Sequence, residues 1–108
     1  MTTSLTLDTT RSDDATLVLT AAGEIDLSNI DGFNQALTTA TTEAASCGAR
    51  LTVDLTAVDY LDSAAINALY NLADHIHLIA NRLLMRSLTV SGLAELVTIE
   101  VPPPIEPH

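Results

Sequence analysis

Along this chain the hydrophobic and polar positions change their period, and each change marks an element. Leu5 and Leu7 alternate with Thr6 and Asp8, the period of a half-buried strand. A polar turn over Arg11 to Asp14 leads into Ala15 to Ala22, whose centre Thr16-Leu17-Val18-Leu19-Thr20 is strand-like, so the two runs predict a hairpin. Gly23-Glu24-Ile25-Asp26 ends the second strand. The period then lengthens. Ser28 followed by Asp31 is a weak capping box, and Ile30, Phe33, Leu37, Ala40, Thr41 and Ala44 recur at helical spacing until Cys47-Gly48 closes the helix.

Leu51-Thr52-Val53-Asp54-Leu55 returns to strand composition, and a loop through Ala57 and Asp59 is expected to lead to Leu61-Asp62. Ser63 opens a second helical pattern with Ile66, Leu69, Tyr70 and Ala73 on its apolar face; Ala64, Asn67, Ala68, Asn71 and Asp74 fall on the open one. His75 to Ala80 alternates like a strand. Asn81 then fits an N-cap for a helix over Arg82 to Ser91, carried by Leu83, Leu84, Leu88 and Ser91 and ended by Gly92, although Arg82 to Leu88 also reads as a strand. Leu96 to Val101 is β-branched and apolar, a last strand, and the prolines from Pro102 predict an extended, flexible tail.

The order β-β-α-β-α-β-α-β predicts an α/β fold: one domain over residues 1–101, with a mixed, mostly parallel sheet opened by a β-hairpin and covered by helices, then a Pro-rich tail over 102–108. With 47% apolar residues the chain has enough material for its own core.

Charge narrows the partners. Fourteen acidic residues face four cations, Arg11, Arg50, Arg82 and Arg86, for a formal charge of −10. Such a surface repels nucleic-acid backbones and anionic membranes and suits a protein partner with a basic patch. A single cysteine, Cys47, rules out an intrachain disulfide. Met1 to Asp8 lacks the basic start and apolar run of a signal peptide, and no apolar stretch approaches the roughly 20 residues that cross a bilayer, so a cytoplasmic protein is expected.

Three segments in register resemble the STAS family of anti-sigma factor antagonists: Gly23-Glu24-Ile25-Asp26, Val53-Asp54-Leu55 leading to Leu61-Asp62-Ser63, and Leu88-Thr89-Val90-Ser91-Gly92-Leu93. The resemblance runs from Leu5 to about Val101. It implies that Ser63 accepts phosphate from an anti-sigma factor of the serine kinase type, with Asp62 and Asp26 as its acidic surroundings. It implies further that the unmodified protein binds that anti-sigma factor, that a phosphatase reverses the modification, and that sigma-factor-dependent, stress-responsive transcription is the output. The family's small triplet of serine, serine or threonine, and glycine reads Ser63-Ala64-Ala65 here, which leaves one hydroxyl acceptor. A second implication of the same family is a cytosolic STAS subunit of a lipid-type ABC transporter, with the serine in a static interface.

The residues themselves fit a binding module, not an enzyme, and imply no cofactor. A serine in the first turn of a helix lies beside amide N–H groups that lack partners within the helix, which suits either a phosphoacceptor or a plain N-cap. Ser28, Ala64, Asn67 and Asn71 are the expected partner-binding positions. Asp54, at a strand end, reads as a turn-former. His75 and His77 have the two-residue spacing of ligands on one side of a strand, but no third ligand accompanies them, so no metal is expected. No Gly-x-Ser-x-Gly elbow surrounds Ser63 and no glycine loop cradles a phosphate.

Overall fold

A computed structural model describes residues 5–11 and 16–102. In chain order the elements are strands β1 (Leu5–Arg11) and β2 (Leu17–Ile25), helix α1 (Ile30–Ser46), strand β3 (Leu51–Leu61), helix α2 (Ser63–Asn71), a 3₁₀ turn (Ala73–His75), strand β4 (Ile76–Ala80), helix α3 (Arg82–Val90), a single helical turn α4 (Leu93–Leu96) and strand β5 (Ile99–Glu100). The sheet order is β1-β2-β3-β4-β5. β1 runs antiparallel to β2, with Leu7 opposite Ala21, and the remaining pairings are parallel. The expected mixed, mostly parallel sheet opened by a hairpin is the observed one.

Each parallel connection moves one strand in the same direction, and right-handed crossovers of that kind put their helices on one face of the sheet. Burial follows that rule. Leu17, Leu19 and Ala21 of β2, Leu51, Val53 and Leu55 of β3, and Ile76, Leu78 and Ala80 of β4 are buried in one cluster with Phe33, Leu37, Ala40 and Ala44 of α1, Leu69 of α2 and Leu84 and Leu88 of α3. The alternate positions Val18, Thr20, Thr52, Asp54, His77 and Ile79 are half-buried on the opposite face. Helices therefore cover one face of the sheet. Phe33, the one phenylalanine of the chain, is fully buried where α1 meets the sheet.

Several boundaries differ from those read off the pattern. β2 continues to Ile25, and β3 continues to Leu61 through the expected loop at Ala57 and Asp59. Two register shifts make this possible: Thr20 pairs with Asp54 but Ala22 with Ala57, and Gly23 pairs with Val58 but Glu24 with Tyr60. Each shift inserts an extra residue into β3, so its side chains leave strict alternation and the run no longer resembles a strand. Gly23 sits at the second shift with φ 108°, where a side chain would be strained. Asp54 supports the first shift: its Oδ1 accepts from Thr56 N at 3.0 Å and Thr56 Oγ1 at 2.7 Å, the turn-forming role expected of it.

At the carboxyl end, Leu93–Leu96 forms a helical turn, so the last strand is only Ile99–Glu100 instead of Leu96 to Val101. Leu93 is fully buried, and that burial outweighs the β-branched character of the run. His75 ends the 3₁₀ turn, so His75 and His77 do not share a strand. α1 is capped at Asn29, not at Ser28, and its cap is a loop lock instead of a capping box, with Asn29 Oδ1 accepting from Asp26 N and Asn29 Nδ2 donating to Glu24 O. Residues 12–14 of the expected turn and 103–108 of the expected tail lie outside the described residues.

Candidate functional site

Ser63 is exposed as the first residue of α2, and the residue before it decides how that helix begins. Asp62 is the N-cap: its Oδ1 accepts from Ala65 N at 3.0 Å, and its extended backbone lets α2 leave the end of β3. Ser63 is therefore not the cap. Its hydroxyl is released from that task and stands at the surface.

The second oxygen of Asp62 reaches another segment. Oδ2 accepts from Leu27 N at 3.0 Å, and Asp62 N donates to Ile25 O at 3.1 Å. One half-buried carboxylate thus caps α2 and ties the β2–α1 loop to it, with each oxygen taking a backbone donor. This lock brings the Asp26 segment beside Ser63. Asp26 itself accepts from the backbone N and the hydroxyl of Ser28, so the Ser28 side chain is engaged within its own loop.

A groove of about 490 Å³ opens beside Ser63. Tyr60 and Leu61 lead into it from β3, Asp62, Ser63 and Ile66 from the cap and body of α2, and Arg86, Val90 and Ser91 close it from α3 and the residue after it. A smaller depression of about 360 Å³ adjoins it, shared by Ser63, Ile66, Asn67, Tyr70 and Ser91. Of the expected partner-binding residues Asn67 lines this surface, whereas Ser28, Ala64 and Asn71 line neither depression. The expected faces of α2 are partly exchanged: Ala68 is buried and Tyr70 is exposed, because Ala65, Ala68 and Leu69 form the ridge that meets the core.

α3 forms the far wall and is held firmly. Asn81 caps it by accepting from Leu84 N at 3.2 Å, as the sequence predicts, and Asn81 Nδ2 donates to Thr56 O at 3.0 Å and Val58 O at 2.8 Å. β4 ends opposite Leu55, so these two β3 carbonyls have no ladder partner and the amide takes both. Ser91 Oγ closes the other end, donating to Leu88 O and accepting from Leu93 N.

The rim is apolar where an isolated domain gains nothing from it. Val90 is 80% exposed and Leu27 76%, and Tyr60 and Tyr70 are also exposed. A cluster of exposed apolar side chains with a polar surround is the usual mark of a protein-docking surface. Sequence reading passed over Tyr60, Arg86 and Val90. Leu83, expected in the apolar pattern of α3 with Leu84 and Leu88, is instead 75% exposed, because it falls on the flank of Val90, well off the Leu84–Leu88 line that meets the core.

Among the described residues no group of three histidine, cysteine or acidic side chains is arranged to hold a metal. Cys47 is free and exposed at the end of α1. A third depression lies remote from Ser63, between α1 and β1, lined by Thr9, Gly32 and Ala36 among others and bordered by the exposed Arg11–Glu43 ion pair at 3.5 Å. No helix among the described residues is long and apolar enough to cross a membrane.

The comparisons agree with this geometry. Residues 9–99 match a family model described as Mlab, STAS domain, and the chain belongs to that STAS family. Its fold is similar to that of an anti-sigma factor antagonist from Mycobacterium paratuberculosis, at 21% identity and a TM-score of 0.80 over 90% of this chain and 86% of the other. It is also similar to a Thermotoga maritima protein assigned as an anti-sigma factor antagonist, at 15% identity and a TM-score of 0.66 over the same shares. None of the curated proteins matches the chain in sequence.

Proposed function

We propose that this protein is a cytoplasmic anti-sigma factor antagonist that acts by binding and not by catalysis. Unmodified, it docks a serine-kinase-type anti-sigma factor and frees the sigma factor; phosphorylated on Ser63, it releases that partner until a phosphatase restores the serine. The observation that carries the reading is the placement of Ser63: exposed, relieved of capping by Asp62, and set in a groove whose rim presents Val90 and Tyr60 to solvent. A phosphate there adds about −1.5 to −2 charges beside Asp62, which disfavours an apolar contact by repulsion and by the cost of desolvation. The acidic chain favours a partner with a basic patch around its own apolar contact.

A second reading is a STAS subunit attached to a lipid-type ABC transporter, with Ser63 in a static interface. Two observations favour it: Ala64 and Ala65 stand where the antagonist pattern has a second hydroxyl and a glycine, and the family description names Mlab.

Recovery of the tagged protein from its native cells, in growth and in stress, separates the two by mass spectrometry of its partners and of Ser63. The first reading expects a kinase-type anti-sigma factor and phosphate on Ser63, with binding weakened about 5- to 150-fold by the modification and by Val90→Asp. A transporter ATPase bound to protein with unmodified Ser63 would overturn it in favour of the second.

A further inference from the structure

Arg86 is the cation on the wall of the Ser63 groove, and among the described residues it has no ion-pair partner, the one salt bridge found there being Arg11–Glu43. Arg50 and Arg82 are likewise without a salt bridge among the described residues, so what singles out Arg86 is its place in the groove that holds Ser63. The carboxylate in the same groove, Asp62, already spends one oxygen on Ala65 N and the other on Leu27 N. The remaining lining is neutral: Tyr60, Leu61, Ile66, Ser87, Val90 and Ser91 surround Ser63. The groove therefore holds, on one lining, an arginine without an ion pair and a hydroxyl that the proposed function makes anionic.

We propose that Arg86 is the built-in counter-charge for a phosphate on Ser63, drawing the modified group across the groove from α2 to α3. A guanidinium presents paired N–H donors whose geometry matches phosphate oxygens. The wall that carries it is fixed by Leu84 and Leu88 in the core and by Asn81 bound to two β3 carbonyls, so pairing requires side-chain motion and no shift of α3. The phosphate then fills the depression between Ile66 and Val90, and the groove is closed to the partner by occupation as well as by charge. This rests on Ser63 as phosphoacceptor and names how the modified state is held.

The test is ³¹P NMR titration of the full chain carrying phosphoserine at position 63, installed during translation so that no kinase is needed. The charged groups beside the phosphate are Asp62 at the head of α2, Asp26 on the loop that Asp62 ties to α2, and Arg86 on α3. Asp62 raises the second ionisation from its ordinary value near 6 and Arg86 lowers it. Arg86→Gln is expected to move the midpoint up by about 0.5 unit or more, and Arg86→Lys to restore part of that shift. Arg86 is exposed, so both variants are expected to fold, which circular dichroism checks. A midpoint unchanged by Arg86→Gln would overturn the inference. Cells that never modify Ser63 would instead defeat the functional reading while leaving the titration to report the pair.

Discussion

Asp62 joins two elements through one side chain, and its replacement measures how strongly the site is built. In Asp62→Ala the cap of α2 is lost, which costs about 1 kcal/mol, because Ala65 N is left without its acceptor. The bond to Leu27 N goes as well, at about 0.5–1.5 kcal/mol, with the lower half favoured because Leu27 is exposed. The two losses come to about 2 kcal/mol, which for a domain of this size lowers the melting temperature by about 8 °C. Asp62→Asn separates them. Asparagine caps as well as aspartate, yet its single carbonyl oxygen cannot serve Ala65 and Leu27 from opposite sides, so a loss of about 0.5–1 kcal/mol is expected. Thermal and urea unfolding followed by circular dichroism give the energies, and amide hydrogen exchange at Leu27 and Ala65 shows which bond has gone. If Asp62→Ala melts within about 1 °C of the wild type, or if Leu27 exchanges at its original rate, the carboxylate is not the lock described here.

Two further substitutions test the scaffold. Asn81→Asp keeps an acceptor for Leu84 N but turns the donor that serves Thr56 O and Val58 O into a carboxylate oxygen; a loss of about 2–3 kcal/mol is expected in urea unfolding, and a loss under about 0.5 kcal/mol would show that those carbonyls are otherwise satisfied. Thr41, on the core face of α1, buries a hydroxyl that has no hydrogen-bond partner among the described residues, so Thr41→Val, of the same shape, is expected to raise stability by about 1 kcal/mol and the melting temperature by about 4 °C; a fall would show that the hydroxyl is satisfied.

The period of the apolar residues was sufficient for the frame of this protein. Leu17, Leu19 and Ala21 alternate because every second side chain of β2 enters the core, and Phe33, Leu37, Ala40 and Ala44 recur because one stripe of α1 does. Caps made within a few residues were equally legible: the Asn81 oxygen serves Leu84 N and Gly48 follows the end of α1, so the partners in these caps are neighbours in sequence. The motif ending in Asp62-Ser63 marks the start of α2 for the same reason. What the period could not carry was anything decided between segments. β3 passes through Ala57 and Asp59 as a strand because β2 lies beside it and Asn81 satisfies its carbonyls, neither of which shows in the residues themselves. Asp62 reads as one more loop acid until the tertiary fold brings Leu27 to its second oxygen. Arg86 and Val90 belong to the Ser63 groove only because α3 packs against β3 and Leu93 turns the chain back into the core, so the composition of that groove is a property of packing and not of sequence order.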